Sequence, residues 1–256
     1  MARPRKSDRQ RLILSELRMA PALRVQDLAQ RLEVSTETVR RDLAELDDAG
    51  LIARTYGGAM RAVPHEPALA EREGLMVAER MRIAAAAATR VVPDDILMIG
   101  GGATTLHLAR RLAAVGERLT VITHAPSIAQ ALAVNPGHRV LMLPGQYDGR
   151  EGLIHGPDTV EALGRFRATT AFLGASGLTP EGPQDAAIGP AIIYGAMMRR
   201  ASRSVIVADR TKFDRPSLLV YGPWSARLTL VTDTAPGGAL AEAIRAAGAE
   251  IAIAPD

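Results

Sequence analysis

The chain contains no cysteine, which excludes a disulfide framework, a thiolate metal site and a cysteine nucleophile. Aromatic residues make up only 3% of it, so a core has to be packed from Ala, Leu, Ile and Val. Lysine is nearly absent: Lys6 and Lys212 are the only two, and arginine carries the remaining positive charge. Long hydrophobic runs are missing too. The most apolar stretches, such as Ile83–Ala88 and Ile96–Ile99, fall far short of the ~20 residues that span a bilayer. The opening Met1-Ala2-Arg3-Pro4-Arg5-Lys6 is basic but lacks the apolar stretch of a signal peptide. Together these absences predict a cytoplasmic protein with no membrane partner.

What is present is 256 residues, 47% of them apolar, enough for a small domain and a larger one. The formal charge of +3 is unevenly placed. Residues 1–61 hold 12 Arg/Lys against 9 Asp/Glu, whereas the rest of the chain holds 19 against 19. The whole excess therefore sits on the first quarter, as suits a segment that meets a polyanion, although so small a surplus also arises by chance.

Residues 7–50 follow a helical period throughout. Ile13, Leu14 and Leu17 form the apolar stripe of a first helix, which ends near Met19-Ala20-Pro21 because proline disfavours helix in the residue before it. Val25, Leu28, Ala29 and Leu32 recur at i, i+3, i+4 and i+7, a short second helix. Glu33-Val34-Ser35 makes the connection, and Ser35 suits the N-cap of a third helix over Thr36–Ala49, stopped by Gly50. Two short helices joined by so tight a turn are a helix-turn-helix candidate.

At about 100° per residue, Val39, Leu43 and Leu46 of the third helix share a core-facing side. Thr36, Glu37, Arg40, Arg41 and Ala44 fall on the other, where a recognition helix meets base edges and phosphates. Taken alone, that face also fits an ordinary solvated amphipathic helix. The next stretch, Leu51 to Ala59, reads as a strand, a Gly57-Gly58 turn and a return strand. A hairpin directly after a recognition helix is a wing, and Arg54 and Tyr56 suit contact with the phosphate backbone.

Arg9, Ile13, Leu17 and the run Ser35-Thr36-Glu37-Thr38-Val39-Arg40-Arg41-Asp42-Leu43 resemble the DeoR-family helix-turn-helix signature at its spacing, and Gly50–Ala59 is similar to that family's wing. The resemblance implies DNA contacts at Ser35, Thr36, Thr38, Arg40 and Arg41, with Tyr56 and Gly57 in the wing. Asp42 lies on the flank of the helix, suited to brace an arginine. The reading is a winged helix-turn-helix over residues 1–60, a linker over 61–74 containing Pro64 and Pro67, and an α/β effector domain over 75–256.

The effector domain opens with a long helix, about Leu75 to Arg90. Apolar strands are expected at Ile96–Ile99, Leu119–Thr123, Val140–Leu143, Thr170–Leu173, Ser204–Ala208, Leu228–Thr232 and Glu250–Ile253, alternating with helices. Continuously apolar strands separated by helices imply a mainly parallel sheet covered on both faces, with ligands outside the strands' carboxyl ends. There stand Gly101, Gly102, Ala103, Thr104 and Thr105, a glycine loop running into a helix N-terminus, suited to a phosphate or carboxylate. The loop is not GxGxxG with a partner acid, so a dinucleotide is disfavoured and no cofactor is implied. Other strand ends bring Thr123, His124, Asp209 and Lys212 to the same edge, Lys212 as the one lysine of the domain. A plain strand-to-helix turn and a solvated Asp/Lys loop are the alternatives. No metal or catalytic constellation is visible.

The order of these loops resembles the DeoR family's effector domain, itself similar to the ribose-5-phosphate isomerase/CoA-transferase fold. That implies a repressor of a carbohydrate or polyol operon, which binds a double-stranded DNA operator as a homo-oligomer and responds to a sugar phosphate or related metabolite. The chain departs from the family pattern at several places. Gly100 or Gly101 stands for an aspartate, Ala103 for a threonine, His124 for an asparagine, and Gly145-Gln146 for a Gly-Gly pair; a Glu and a Lys are replaced around Ile192–Tyr194. Such losses change the ligand a pocket suits. An enzyme of the isomerase type with a helical appendage, and a regulator whose sensor serves only association, are the competing classes.

Overall fold

The computed structural model describes residues 6–19, 22–48, 52–55, 58–61, 67–114 and 118–255. They divide into two units, Met1–His65 and Glu66–Asp256. In the first, α1 (Lys6–Met19), α2 (Val25–Arg31) and α3 (Thr36–Asp48) enclose Ile13, Leu17, Leu28, Val39, Leu43 and Leu46, the stripes expected from the period. Between α1 and α2 lies a strand with no sequence expectation, β1 (Ala22–Arg24), which joins β2 (Ile52–Thr55) and β3 (Gly58–Arg61) in the order β1-β3-β2. Only glycine fits at position 58, because a Cβ there would collide with the Leu23 carbonyl oxygen of the facing strand.

The turn between α2 and α3 is fixed by its hydrogen bonds. Val34 N–H donates to the Ala29 carbonyl (3.1 Å) and Glu33 N–H to that of Gln30 (3.4 Å), with Glu33 left-handed at φ 51°. This is a Schellman end with glutamate where glycine is usual. Ser35 then caps α3, its Oγ accepting from Thr38 N–H at 3.2 Å.

The second unit begins with α4 (Leu69–Glu73), in a stretch read as linker. Then α5 (Val77–Ala88), β4 (Ile96–Ile99), α6 (Ala103–Ala113), β5 (Thr120–Thr123), α7 (Pro126–Ala133) and β6 (Arg139–Met142) follow. A hairpin, β7 (Gln146–Asp148) with β8 (Leu153–His155), leads into α8 (Pro157–Gly164) and β9 (Ala168–Leu173). Two short strands, β10 (Gly177–Thr179) and β11 (Gly182–Asp185), precede α9 (Ile188–Arg200) and β12 (Ala201–Val207). A 3-10 turn at Arg210–Lys212, β13 (Leu219–Val220), β14 (Leu228–Thr232), α10 (Gly238–Ala246) and β15 (Glu250–Ile253) complete the unit.

The seven strands foreseen from their apolar runs form one sheet, ordered β15-β14-β12-β9-β4-β5-β6 and parallel throughout. Successive residues pack on opposite faces: Leu97 and Ile99 against α5, α6 and α7, Met98 against the α8, α9 and α10 side. The chain lays down β4, β5 and β6 toward one edge, then returns beside β4 with β9 and proceeds to the other edge. This reversal splays the loops after β4 and β9 apart and opens a crevice at their carboxyl ends.

Candidate functional site

In the first unit, α3 turns Val39, Leu43 and Leu46 inward and leaves Thr36, Glu37, Arg40 and Arg41 exposed. Arg40 lies loosely beside Glu37, at 3.8 Å. The Ser35 and Thr38 hydroxyls are 2.8 Å apart, so Ser35 serves both the cap and its neighbour. The back of α3 is tied to α1. Asp42, buried, accepts from Arg9 Nε (2.8 Å) and Nη2 (3.0 Å), and one turn on Glu45 takes Lys6 and Gln10. The flanking acid thus braces an arginine of α1, and Lys6 holds the Glu45 carboxyl below the usual carboxylate range. Arg54 occupies β2 in register with Ala59, while Tyr56 and Gly57 lie outside the described residues.

In the second unit a recess opens at the carboxyl ends of β4 and β9, where the strand order reverses. Five of the nine effector candidates line it: Gly101, Gly102, Ala103, Thr104 and Lys212. Gly102, at φ 131°, caps α6, whose first helical bond comes from Leu106 N–H to the Gly102 carbonyl at 3.0 Å. The amides of Ala103, Thr104 and Thr105 precede that bond, the group of donors an anion takes at a helix start.

The side chains of the other four candidates do not line the recess; their polar side-chain atoms serve the scaffold instead. Thr105 donates to the Gly102 carbonyl (2.9 Å). Thr123 donates to that of Ile99 (2.7 Å) and accepts from Ala125 N–H (3.2 Å). His124 is fully buried, with Nε2 accepting from Gly101 N–H at 3.2 Å, which leaves Nδ1 to donate to the Ile154 carbonyl at 2.6 Å. Burial lowers its pKa to about 4, so the ring is neutral and shapes the glycine loop from behind. Asp209, also buried, pairs with Arg80 at 3.4 Å and accepts from Thr211 N–H and hydroxyl. Strand-end polar groups that sink below the surface must find partners, and here backbone and neighbours supply them.

Several lining residues carry no sequence expectation, Arg72, Arg80, Glu151 and Asp185, and Tyr194 comes from the stretch 192–194 read as a departure from the family pattern. Arg80 left a signal, because it precedes Ile83, Ala84 and Ala87 at helical spacing and so belongs to the buried face of α5. Tyr194 donates to the Gly101 carbonyl at 2.7 Å and sits edge-on to His124 and Tyr221. Its ring fills the space a side chain at position 100 would need, since a Cβ on Gly100 would lie 2.7 Å from Tyr194 Cε1. The glycine at 100 and the ring at 194 therefore fit together as steric complements. Among the described residues no group of His, Asp and Glu is placed to hold a metal ion, and no helix is long and apolar enough to cross a membrane.

Comparison with known proteins agrees with this division. Residues 9–64 match the DeoR-like helix-turn-helix domain, and residues 76–234 the DeoR C terminal sensor domain. The transcriptional repressor AccR of Agrobacterium fabrum is 30% identical over 231 residues, 89% of each chain. The glycerol-3-phosphate regulon repressor of Escherichia coli is 28% identical, covering 82% of this chain and 84% of its own. A ribose 5 phosphate isomerase A from Neisseria gonorrhoeae aligns over 55% of this chain and 54% of its own, at 17% identity and a TM-score of 0.40, a likeness too loose to carry an argument.

Proposed function

Because the chain belongs to the DeoR family of DNA-binding transcriptional regulators, which are not enzymes, we propose that it represses a carbohydrate or polyol operon under the control of a small anionic metabolite. On this reading α3 enters the major groove of a double-stranded operator. Thr36, Arg40 and Arg41 read bases and phosphates, Ser35 and Thr38 fix the start of the helix, and the wing with Arg54, Tyr56 and Gly57 follows the backbone. Two copies on a pseudo-palindromic site are the natural stoichiometry for such a reader, and the cytoplasm its place of work.

The observation that carries the sensing half is the recess at the strand-order reversal, floored by a glycine loop and a helix start beside Arg80 and Lys212. Those donors suit the phosphate or carboxylate of a small hydroxylated ligand, while Asp185 and Glu151 offer acceptors to its hydroxyls. The test is a thermal-shift series with glycerol 3-phosphate, glucose 6-phosphate and their unphosphorylated parents, repeated as operator binding on a footprinted site. A phosphorylated compound is expected to raise the melting temperature and weaken operator binding. Compounds that stabilise the protein yet leave operator affinity unchanged refute the reading.

A further inference from the structure

The first element of the sensor unit, α4, forms part of the recess wall, and it is tied to the rest of the unit both through recess-lining side chains and through contacts outside the recess. Leu69 N–H donates to the Arg150 carbonyl at 3.1 Å, and the Leu69 side chain is buried against Gly152 at the tip of the β7–β8 hairpin. That tip holds its own shape: Asp148 accepts from Arg150 N–H (2.8 Å) and Glu151 N–H (3.2 Å) through its carboxylate, and from Gly152 N–H through its carbonyl. Arg72 of α4 meets Glu151 of the hairpin at 2.6 Å, and both line the recess with side chains only 14% exposed. Arg80 joins the two ends of this arrangement. Its guanidinium bonds the Arg72 carbonyl at the end of α4 and pairs with Asp209 just past the carboxyl end of β12.

We propose that α4 is the element through which recess occupancy reaches the DNA-binding unit. An anionic ligand draws on the Arg72 and Arg80 guanidinia, competing with Glu151 and with the Arg72 carbonyl for the same donors, and so loosens α4 from the hairpin. Only seven residues of chain separate Leu69 from Arg61, the last residue of the wing strand β3. A change in how firmly α4 is held is thus imposed close to the point where the DNA-binding unit is attached. The ligand acts by differential affinity for the docked and loosened arrangements, as any coupling between two sites requires. The proposal rests on the reading of the recess as the effector site.

Leu69 and Gly152 do not line the recess, which makes them the clean handles. Leu69→Ala removes the buried side chain from one side of the contact. Gly152→Ala places a Cβ 2.8 Å from Leu69 Cδ2, at a backbone φ of 62° that favours glycine, and so disturbs it from the other. The full chain and both variants are tested with glycerol 3-phosphate, glucose 6-phosphate and inorganic phosphate by thermal shift, operator binding and amide hydrogen exchange. In the unsubstituted chain the active compound is expected to weaken operator binding about tenfold and speed exchange at residues 69–73. Both variants should keep the thermal shift, while their operator affinity changes less than about twofold on adding the compound. Variants that respond as the unsubstituted chain does, with exchange at α4 unaltered by the compound, overturn this proposal alone. If no compound shifts the unsubstituted chain, the reading of the recess falls and this proposal with it.

Discussion

His124 offers the most quantitative check on the structure. Its imidazole is held neutral by burial, with both nitrogens committed to backbone partners, and its pKa lies at about 4 against an ordinary value of 6.5. Between those values the unfolded chain binds a proton that the folded chain refuses, so protons draw the equilibrium toward unfolding. The stabilisation is complete above about pH 6.5 and is lost as pH falls toward 4. From pH 7.5 to 4.5 the loss from this one group comes to roughly 2–3 kcal/mol, a large part of the stability of an ordinary domain. Glu45 and Glu250, whose carboxyls are held low by Lys6 and Arg90, add their own losses at still lower pH. A difference measurement removes them. Urea denaturation of the unsubstituted chain and of His124→Asn, across that range, should show the unsubstituted chain losing about 2–3 kcal/mol more. Proton NMR should place the His124 titration well below that of an exposed imidazole. Parallel pH profiles, or a His124 resonance titrating near 6.5, would refute the assignment of a buried, neutral, doubly bonded ring.

Three further outcomes follow from the DNA-binding unit. Asp42→Ala should destabilise it by about 2–3 kcal/mol, since it strands a largely enclosed guanidinium, and adding Arg9→Ala should cost little more; additive losses in circular-dichroism melts would deny the pairing. Glu33→Gly relieves a left-handed residue at φ 51° and should stabilise by about 0.5 kcal/mol after the larger unfolded-state entropy of glycine, with a lower melting temperature as the contrary result. Arg40→Ala should weaken operator binding about tenfold without moving the melting temperature. A salt slope reduced by about one would assign the arginine to a phosphate, and an unchanged slope with relaxed base preference to a base edge.

How far the sequence foretold this structure depended on where each residue's partner lies. The seven strands of the main sheet were legible because strands buried on both faces read as unbroken apolar runs, Leu97-Met98-Ile99 and Val205-Ile206-Val207 among them. The stripes of α1, α2 and α3 were legible because their period is local. By contrast β1, β10, β11 and β13 are two to four residues long, and β11 opens Gly182-Pro183, so nothing in their composition announces a strand. The charged sequence of α4 read as linker for the same reason. In the recess, the glycine loop and Lys212 could be placed because they follow strands directly, whereas Glu151, Asp185 and Arg72 arrive from separate segments and meet only in the fold. His124 shows the opposite error. A polar residue at a strand end looked outward from the sequence, yet the chain needed its two nitrogens to satisfy Gly101 and Ile154.

The position of α4 also bears on how the sensor half would have to be cut from the whole. A fragment begun at Leu75, where the long helix was expected to open, would leave out Leu69 and Arg72 together with the carbonyl that Arg80 bonds. Glu151 would lose Arg72 and keep only the looser Arg150, the hydrophobic seat beside Gly152 would stand open, and the recess would lack one wall. Affinities measured on such a fragment would describe a different receptor from the intact one. A fragment begun at Glu66 keeps the wall and the charges that balance it.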